Sequence, residues 1–367
     1  MRGGLVRGGL VSGGLVRDGL NLEQRYRRVL RLLPGYYRDL WEEDMVAAFL
    51  DSRLTGDPED DVAILEFCKP SLPEVGSVAG LAVRLYLGGA GAPRRYFAWG
   101  QAVRYAALAV TLLQSVRGLD VLVRTAWSRH VFGWLPAPPA GIAVGTPTGI
   151  LPPAAWYFVA YAWIVSFVAL VLGHYRTAQV IAALAIVPDL VWLLQGQFTG
   201  ALPAMPLGPW AFWVLLNLTP VLAMTAFHRD APPAARRPWL LALPAAYLLV
   251  AVPPMALEAT GNSAWVPDFS GLYCVLVALA CLAHAPRAWS RKAAGSGVWS
   301  LTLTLLAADV GAYRIFSLYD YWHDPHLIAV SLAELLILAV AVALVAPDSA
   351  RAPTAMPAPP PHPGYAG

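Results

Sequence analysis

Residues 153–173 read PAAWYFVAYAWIVSFVALVLG, a stretch without charge that would be apolar on every face of a helix. An α-helix of about 20 residues rises about 30 Å, which is the thickness of the hydrocarbon core of a bilayer. Trp and Tyr gather toward its N-terminal end, and both side chains favour the headgroup boundary of a membrane. The stretch therefore predicts a transmembrane helix.

Similar stretches lie on both sides of it, and together they predict an all-α, polytopic transmembrane helix bundle over residues 101–346. The chain is 57% hydrophobic and 13% charged, whereas soluble domains carry about 25% charged residues. The first span is the weakest, because Arg104, Arg117 and Asp120 interrupt it, and a helix lying on the membrane surface is its alternative. We predict about eight spans, at residues 101–123, 153–173, 177–198, 209–227, 238–257, 269–286, 297–318 and 326–346.

The charges of the predicted loops give the orientation. Short cytoplasmic loops hold an excess of Lys and Arg, and eight spans with both termini in the cytoplasm put most of the basic loop residues there. These are Arg176, Arg229, Arg236, Arg237, Arg287, Arg291 and Lys292, whereas Glu258, Asp268, Asp320 and Asp324 face out. We predict a multi-pass protein of the cell membrane. The net charge of +3 fits contact with anionic lipid in the bilayer and not nucleic-acid binding.

Both ends of the chain are of low complexity. Residues 1–20 repeat a glycine-rich motif every five residues, which predicts a disordered tail or an upstream extension of the true start, with a lipid-binding arm as the alternative. The segment from residue 347 to residue 367 is rich in Pro and Ala, and it predicts a second disordered tail.

Residues 21–90 predict a small cytoplasmic helical domain. The first helix has an apolar stripe of Leu22, Tyr26, Val29, Leu30 and Leu33, and Pro34-Gly35 ends it. A second stripe follows, at Tyr37, Leu40, Trp41, Met45, Ala48 and Phe49.

A third helix is predicted after a turn at Asp57-Pro58. Ser71 and Glu74 have the spacing of a capping box at its start, and Gly88-Gly89 would end it. Its predicted apolar face is Val75, Val78, Ala82 and Leu85. Since a core this small is marginal alone, we expect the domain to pack on the membrane, a partner or a second copy.

One series of residues in this region reads Tyr26-Arg27-Arg28-Val29-Leu30-Arg31-Leu32-Leu33-Pro34, then Tyr37-Arg38, Glu42-Glu43-Asp44-Met45 and Leu50-Asp51. This series resembles the N-terminal prefix of a group of actinobacterial membrane proteins, a prefix similar to the helical HAAS-type (permease-prefix-like) signalling domain. The resemblance covers about seventy residues, and Trp41 stands where the family usually shows Gly. It implies attachment to membrane segments and a link with PadR-like transcriptional regulators, and it implies no catalytic residues.

Polar residues within spans are expensive, so each is a candidate site residue. Asp189, Asn217, Asp309 and Glu334 fall in four different predicted spans, about 12–14 Å below the outer surface. One hypothesis is a water-accessible pocket for a proton, a cation or a small polar substrate. The alternative is hydrogen bonding between helices. We expect Arg314 to snorkel to the outer interface, with pairing to a carboxylate of another helix as its alternative.

We predict no cofactor, no metal site and no catalytic residues, because no nucleotide, zinc or hydrolase motif is found. Asp320, His323, Asp324 and His326 are interpreted as an interfacial turn, with a divalent metal as the alternative. Cys274 and Cys281 are expected to be buried apolar residues. The sequence favours a non-enzymatic regulatory or signalling membrane protein whose prefix binds a cytoplasmic partner. The alternatives are a transporter or permease component and, with least support, an intramembrane enzyme.

Overall fold

A computed structural model describes residues 21–89, 92–133, 153–199, 207–228, 234–260, 268–289, 296–318 and 324–355. In these ranges all regular structure is helical and there is no strand, which confirms the all-α class. The predicted tail at residues 1–20 lies outside the described residues. The chain divides between Val83 and Arg84 into two compact units.

The N-terminal unit holds α1 (Leu22–Leu30), α2 (Gly35–Asp51), α3 (Pro58–Phe67) and most of α4 (Leu72–Tyr86). The predicted stripe of α1 is confirmed, because Leu22, Tyr26, Leu30 and Leu33 are buried. The rings of Tyr26 and Phe49 stack with centroids 3.9 Å apart, which joins α1 to α2. Asn21 caps α1 by accepting a hydrogen bond from the Gln24 N–H at 2.8 Å.

The predicted stripe of α2 is wrong for most of its length. Val46 and Phe49 are buried, whereas Leu40 and Trp41 are exposed. Arg27 of α1 forms a bidentate pair with Glu43, at 2.6 and 2.7 Å. This pair and the Tyr26–Phe49 stack turn a different side of α2 toward α1. Helix α3 was not predicted, since only its opening turn was recognised.

Helix α4 matches its prediction. The Ser71 N–H donates to Glu74 Oε2 at 2.7 Å, as a capping box requires. Val78, Ala82 and Leu85 are buried on the predicted face. The helix ends before Gly88, which has a φ of 83°, a conformation that glycine adopts without strain.

The second unit holds nine described helices. Four stretches are long and apolar enough to cross a membrane, namely Arg94–Ser128, Arg236–Ala259, Phe269–Trp289 and Pro325–Arg351, and Tyr157–Leu172 and Ala211–Ala226 are shorter apolar stretches. These apolar stretches indicate a membrane protein. The helices are α5 (Arg94–Ser128), α6 (Pro153–Leu172), α7 (Tyr175–Thr199), α8 (Leu207–Ala223), α9 (Arg236–Val250), α10 (Val252–Ala259), α11 (Phe269–Trp289), α12 (Ser296–Ser317) and α13 (Pro325–Ala355).

Helix α5 is central in this unit. It packs against α6, α8, α9, α12 and α13, and even Arg104 and Asp120 are buried in it. At Gly118 it approaches α6 so closely that an added Cβ would lie 2.5 Å from the Ala160 carbonyl oxygen. This central packing favours a spanning helix over one that lies on the membrane surface.

Helices α5 to α8 alternate in direction. Ser115 donates to the Trp163 carbonyl at 3.0 Å and Gly118 faces Ala160, so α5 and α6 are antiparallel. A two-residue turn then leads into α7, and Ser166 donates across it to the Ala178 carbonyl at 2.8 Å. Gln179 of α7 in turn donates to the Met224 carbonyl, just after α8, at 2.9 Å.

Helices α11 to α13 alternate in the same way. The Ser270 and Ser317 hydroxyls lie 3.4 Å apart, while His284 and Ser300 lie 3.1 Å apart near the opposite ends of α11 and α12. Helix α12 runs parallel to α5, because Thr302 lies against Ala102 and Tyr313 lies against Arg117. The end of the bundle at which α5 begins is called the Arg94 end.

The predicted C-terminal tail is corrected in its first part. Helix α13 continues to Ala355, beyond the predicted boundary at residue 346. Asp348 accepts a hydrogen bond from the Ser300 hydroxyl at 2.8 Å, and the Trp289 indole donates to the Leu344 carbonyl at 3.0 Å. These contacts hold the extended helix to α11 and α12, and residues 356–367 lie outside the described part of the chain.

Candidate functional site

Arg314 of α12 lies at the centre of a buried charge cluster. Arg314 is only 3% exposed. Its guanidinium contacts Asp268 Oδ2 at 2.6 Å and Glu334 Oε2 at 2.5 Å. It also donates to the Ser270 hydroxyl at 2.9 Å. The prediction that Arg314 snorkels is wrong, because carboxylates from two neighbouring segments reach it inside the bundle.

Gly271 makes room for this cluster at the start of α11. An added Cβ would lie 2.5 Å from Glu334 Oε1 and 2.9 Å from Asp268 Oδ1. Asp268 also accepts hydrogen bonds from the Ser270 hydroxyl and the Gly271 N–H, at 2.8 and 2.9 Å, and so caps α11. Two carboxylates thus share one guanidinium, and the cluster joins three helices.

Asp189 of α7 interacts electrostatically with Arg117 of α5. Arg117 also donates to the Tyr313 hydroxyl of α12 at 3.2 Å. Its side chain is exposed although Val116 and Gly118 beside it are buried. Groups on α7 and α12 thus lie near this exposed guanidinium.

Sequence reasoning missed Arg117 as a site residue. It treated this residue as an interruption of a span, although the rule that selected the intramembrane carboxylates applies equally to a guanidinium.

Asp309 and Asn217 are the other two predicted site residues. Half-buried Asp309 is four residues before Tyr313, so it lies one turn away on the same face of α12. The Asn217 side-chain amide donates to the Trp213 carbonyl of its own helix at 2.9 Å. Within the described residues, no hydrogen bond or ion pair joins any two of Asp189, Asn217, Asp309 and Glu334, and the common pocket stays a prediction.

A second ion cluster joins α5 to α10. Arg124 contacts Asp120 Oδ2 at 2.7 Å and also pairs with Glu258. Both carboxylate side chains are largely shielded from solvent. Glu258 was assigned to an external loop, but it lies in α10 because Pro253 and Pro254 start this short helix after α9.

Across the described ranges, no group of three or more His, Cys, Asp or Glu side chains has the arrangement of a metal site. Asp324 caps α13 by accepting from the His326 N–H at 2.9 Å, while Asp320 and His323 lie outside those ranges. Cys274 and Cys281 are fully buried among apolar residues, as predicted.

Comparisons of the chain with protein-family models, with curated proteins and with solved structures returned no match.

Proposed function

We propose that this chain is a non-enzymatic regulatory or signalling protein of the cell membrane whose N-terminal helical unit binds a cytoplasmic partner. The observation that carries the proposal is the apolar surface of that unit. Leu40, Phe67 and Leu72 are 73%, 74% and 87% exposed, although each is large and apolar. Contiguous patches of exposed apolar side chains mark protein interaction sites.

The surface of α2 offers the strongest anchor for a partner. The Trp41 side chain is exposed beside Leu40, and its ring lies 6.5 Å from that of Tyr37. Trp and Tyr are enriched among the residues that dominate binding energy at interfaces. Exposed Asp39 and Asp44 flank this patch, so the partner should offer an apolar pocket with a basic rim. The resemblance of the prefix favours a PadR-like regulator as that partner.

We further propose eight spans with both termini in the cytoplasm. The alternation of α5 to α8 and of α11 to α13 supports this count. In an alternating eight-span chain the first and seventh spans run the same way, as the parallel α5 and α12 do. Reporter fusions after residues 95, 140, 232, 262 and 350 test it. We expect only the reporters after residues 140 and 262 to be external. Cytoplasmic signals from the reporters after both 95 and 140 would contradict the eight-span topology.

Site-specific photo-crosslinking tests the partner proposal in native membranes containing the full chain. A photoreactive amino acid replaces Trp41, and in a matched control it replaces Asp60, an exposed polar residue of α3. We expect crosslinks to a PadR-like regulator from position 41 only, and a loss of at least about tenfold in the variant Leu40→Ala. Equal crosslinking from both positions, or none to any cytoplasmic protein, would contradict the proposal.

A second function, that of a transporter or permease component, is favoured by the exposure of Arg117 inside the bundle. With Cys68 replaced by Ser, a cysteine at position 117 should react with a membrane-impermeant thiol reagent, whereas one at buried Val116 should not. Purified protein in liposomes should then show a proton flux that Asp189→Asn abolishes. Absent labelling at position 117, or an unchanged flux, would remove Arg117 and Asp189 as a transport site.

A further inference from the structure

A cavity of about 1000 Å³ opens at the Arg94 end of the bundle. Its lining is basic, since it includes Arg84 and Arg176 and none of the described lining residues is acidic. The lining residues are Arg84, Gly173, His174, Tyr175, Arg176, Thr177, Gln179, Phe227 and His228.

The turn between α6 and α7 builds one wall of this cavity. Gly173 adopts a φ of 94°, and the His174 N–H returns to the Ala169 carbonyl at 2.8 Å. This tight reversal places the first turn of α7 at the cavity. The N–H groups of Tyr175, Arg176 and Thr177 have no acceptor within the helix, and the start of a helix carries a partial positive charge.

An arginine of α5 lies behind this wall. Arg104 is 3% exposed, and neither terminal nitrogen of its guanidinium has a hydrogen-bond partner among the described residues. Its charge interacts with the hydroxyl of Tyr175, which lines the cavity. One turn further along α5, Ala107 and Leu108 pack in the same cluster as Tyr175 and Phe227. The guanidinium therefore lies on the side of α5 that packs against Tyr175, behind the cavity wall that this residue helps to form.

A buried guanidinium without an acceptor is costly, and an anion in the cavity would offset that cost. We infer that this cavity binds a phosphate group, held by Arg176 and the first turn of α7 and neutralised from behind by Arg104. A phosphate suits the site because its oxygens accept several hydrogen bonds at once from guanidinium and backbone N–H groups. The same group occurs in a lipid headgroup and in a soluble phosphate ester.

Two series of titrations on the full chain in phosphatidylcholine nanodiscs test the inference and separate the sources. One adds inorganic phosphate or glycerol phosphate to the buffer, and the other replaces part of the lipid with phosphatidic acid. The midpoint of thermal unfolding reports binding, because a ligand that binds only the folded state raises it. A response to the soluble compounds indicates a soluble ester, and a response to phosphatidic acid alone indicates a headgroup.

Variants assign the response to the cavity. Arg176 is exposed, so Arg176→Gln should fold normally and weaken binding by about tenfold, the cost of one charge-assisted hydrogen bond. Arg237→Gln is the matched control, since Arg237 is exposed in the first turn of α9 at the same end. Arg104→Met should weaken binding further. No response to either class of compound, or equal responses from the Arg176 and Arg237 variants, would overturn the inference.

Discussion

Arg314 of α12 and Glu334 of α13 are 2.5 Å apart inside the bundle, with side chains that are only 4% and 12% exposed. Asp268 contacts the same guanidinium from the start of α11. The charges therefore hold three helices together around a guanidinium that is shielded from water. This dependence makes the cluster a sensitive test of the packing.

Replacing Arg314 by Met should strongly destabilise the protein. The variant leaves the largely buried Glu334 carboxylate without its charged partner, and breaking a buried ion pair from one side costs about 3–5 kcal/mol. The free energy of unfolding, measured by titrating sodium dodecyl sulfate into mixed micelles, should fall by that amount. Arg287→Met is the control, because Arg287 is exposed on α11. Equal effects of the two substitutions would contradict the buried cluster.

Gly118→Ala should disrupt the contact between α5 and α6. The new Cβ would lie 2.5 Å from the Ala160 carbonyl oxygen, and a backbone atom cannot move aside as a flexible side chain can. Overpacking of this kind costs about 1–3 kcal/mol. Gly208→Ala in α8 has nothing within 4 Å of its new Cβ and should be neutral or slightly stabilising. The same titration measures both, and a stable Gly118 variant would show that the helices are further apart.

The N-terminal unit should lose stability in acid through Glu43. Hydrogen bonds from Arg27 lower the pKa of the Glu43 carboxyl below its ordinary value of 4.5. The stabilising contribution of this carboxylate is therefore fully present above pH 4.5, and it is lost as the pH falls through the lowered pKa. Hydrogen exchange of the α1 and α2 amides, corrected for intrinsic rates, should show this loss.

The variant Glu43→Gln isolates that contribution. It should exchange faster than the natural chain at neutral pH, and the difference should vanish in acid, where both side chains are uncharged. Glu66→Gln, at an exposed position of α3, should change nothing at either pH. A difference between the Glu43 variant and the natural chain that persists unchanged in acid would assign the effect to packing instead of charge.

Local signals predicted much of the helical structure. Capping chemistry places Ser71 at the start of α4, and helical periodicity places Leu22, Tyr26 and Leu30 in a core. Periodicity failed at Leu40 and Trp41, because a repeating apolar pattern does not show which of its residues pack against neighbouring helices. The end of α13 was missed because Asp348 is held by Ser300, a contact between distant residues.

The candidate site was predictable only by residue type. Each carboxylate that was selected lies in a helix, but the partner of each depends on how the helices pack. Arg314 reaches Glu334 because α12 and α13 are neighbours, and Arg117 reaches Tyr313 because α12 runs parallel to α5. No spacing within one helix carries that information.

Gly271 and Glu334 should be energetically coupled, and a double-mutant cycle measures the coupling. Gly271→Ala alone should destabilise the protein, because its Cβ would displace both carboxylates from Arg314. In the background Glu334→Ala, the nearest obstructing atoms are gone, so the same glycine substitution should cost less by about 1–2 kcal/mol. Gly311→Ala, whose Cβ would meet Leu338 at an ordinary 3.5 Å, serves as the control substitution in both backgrounds. Additive effects of the Gly271 and Glu334 substitutions would show that a side chain at position 271 does not clash with the Glu334 carboxylate.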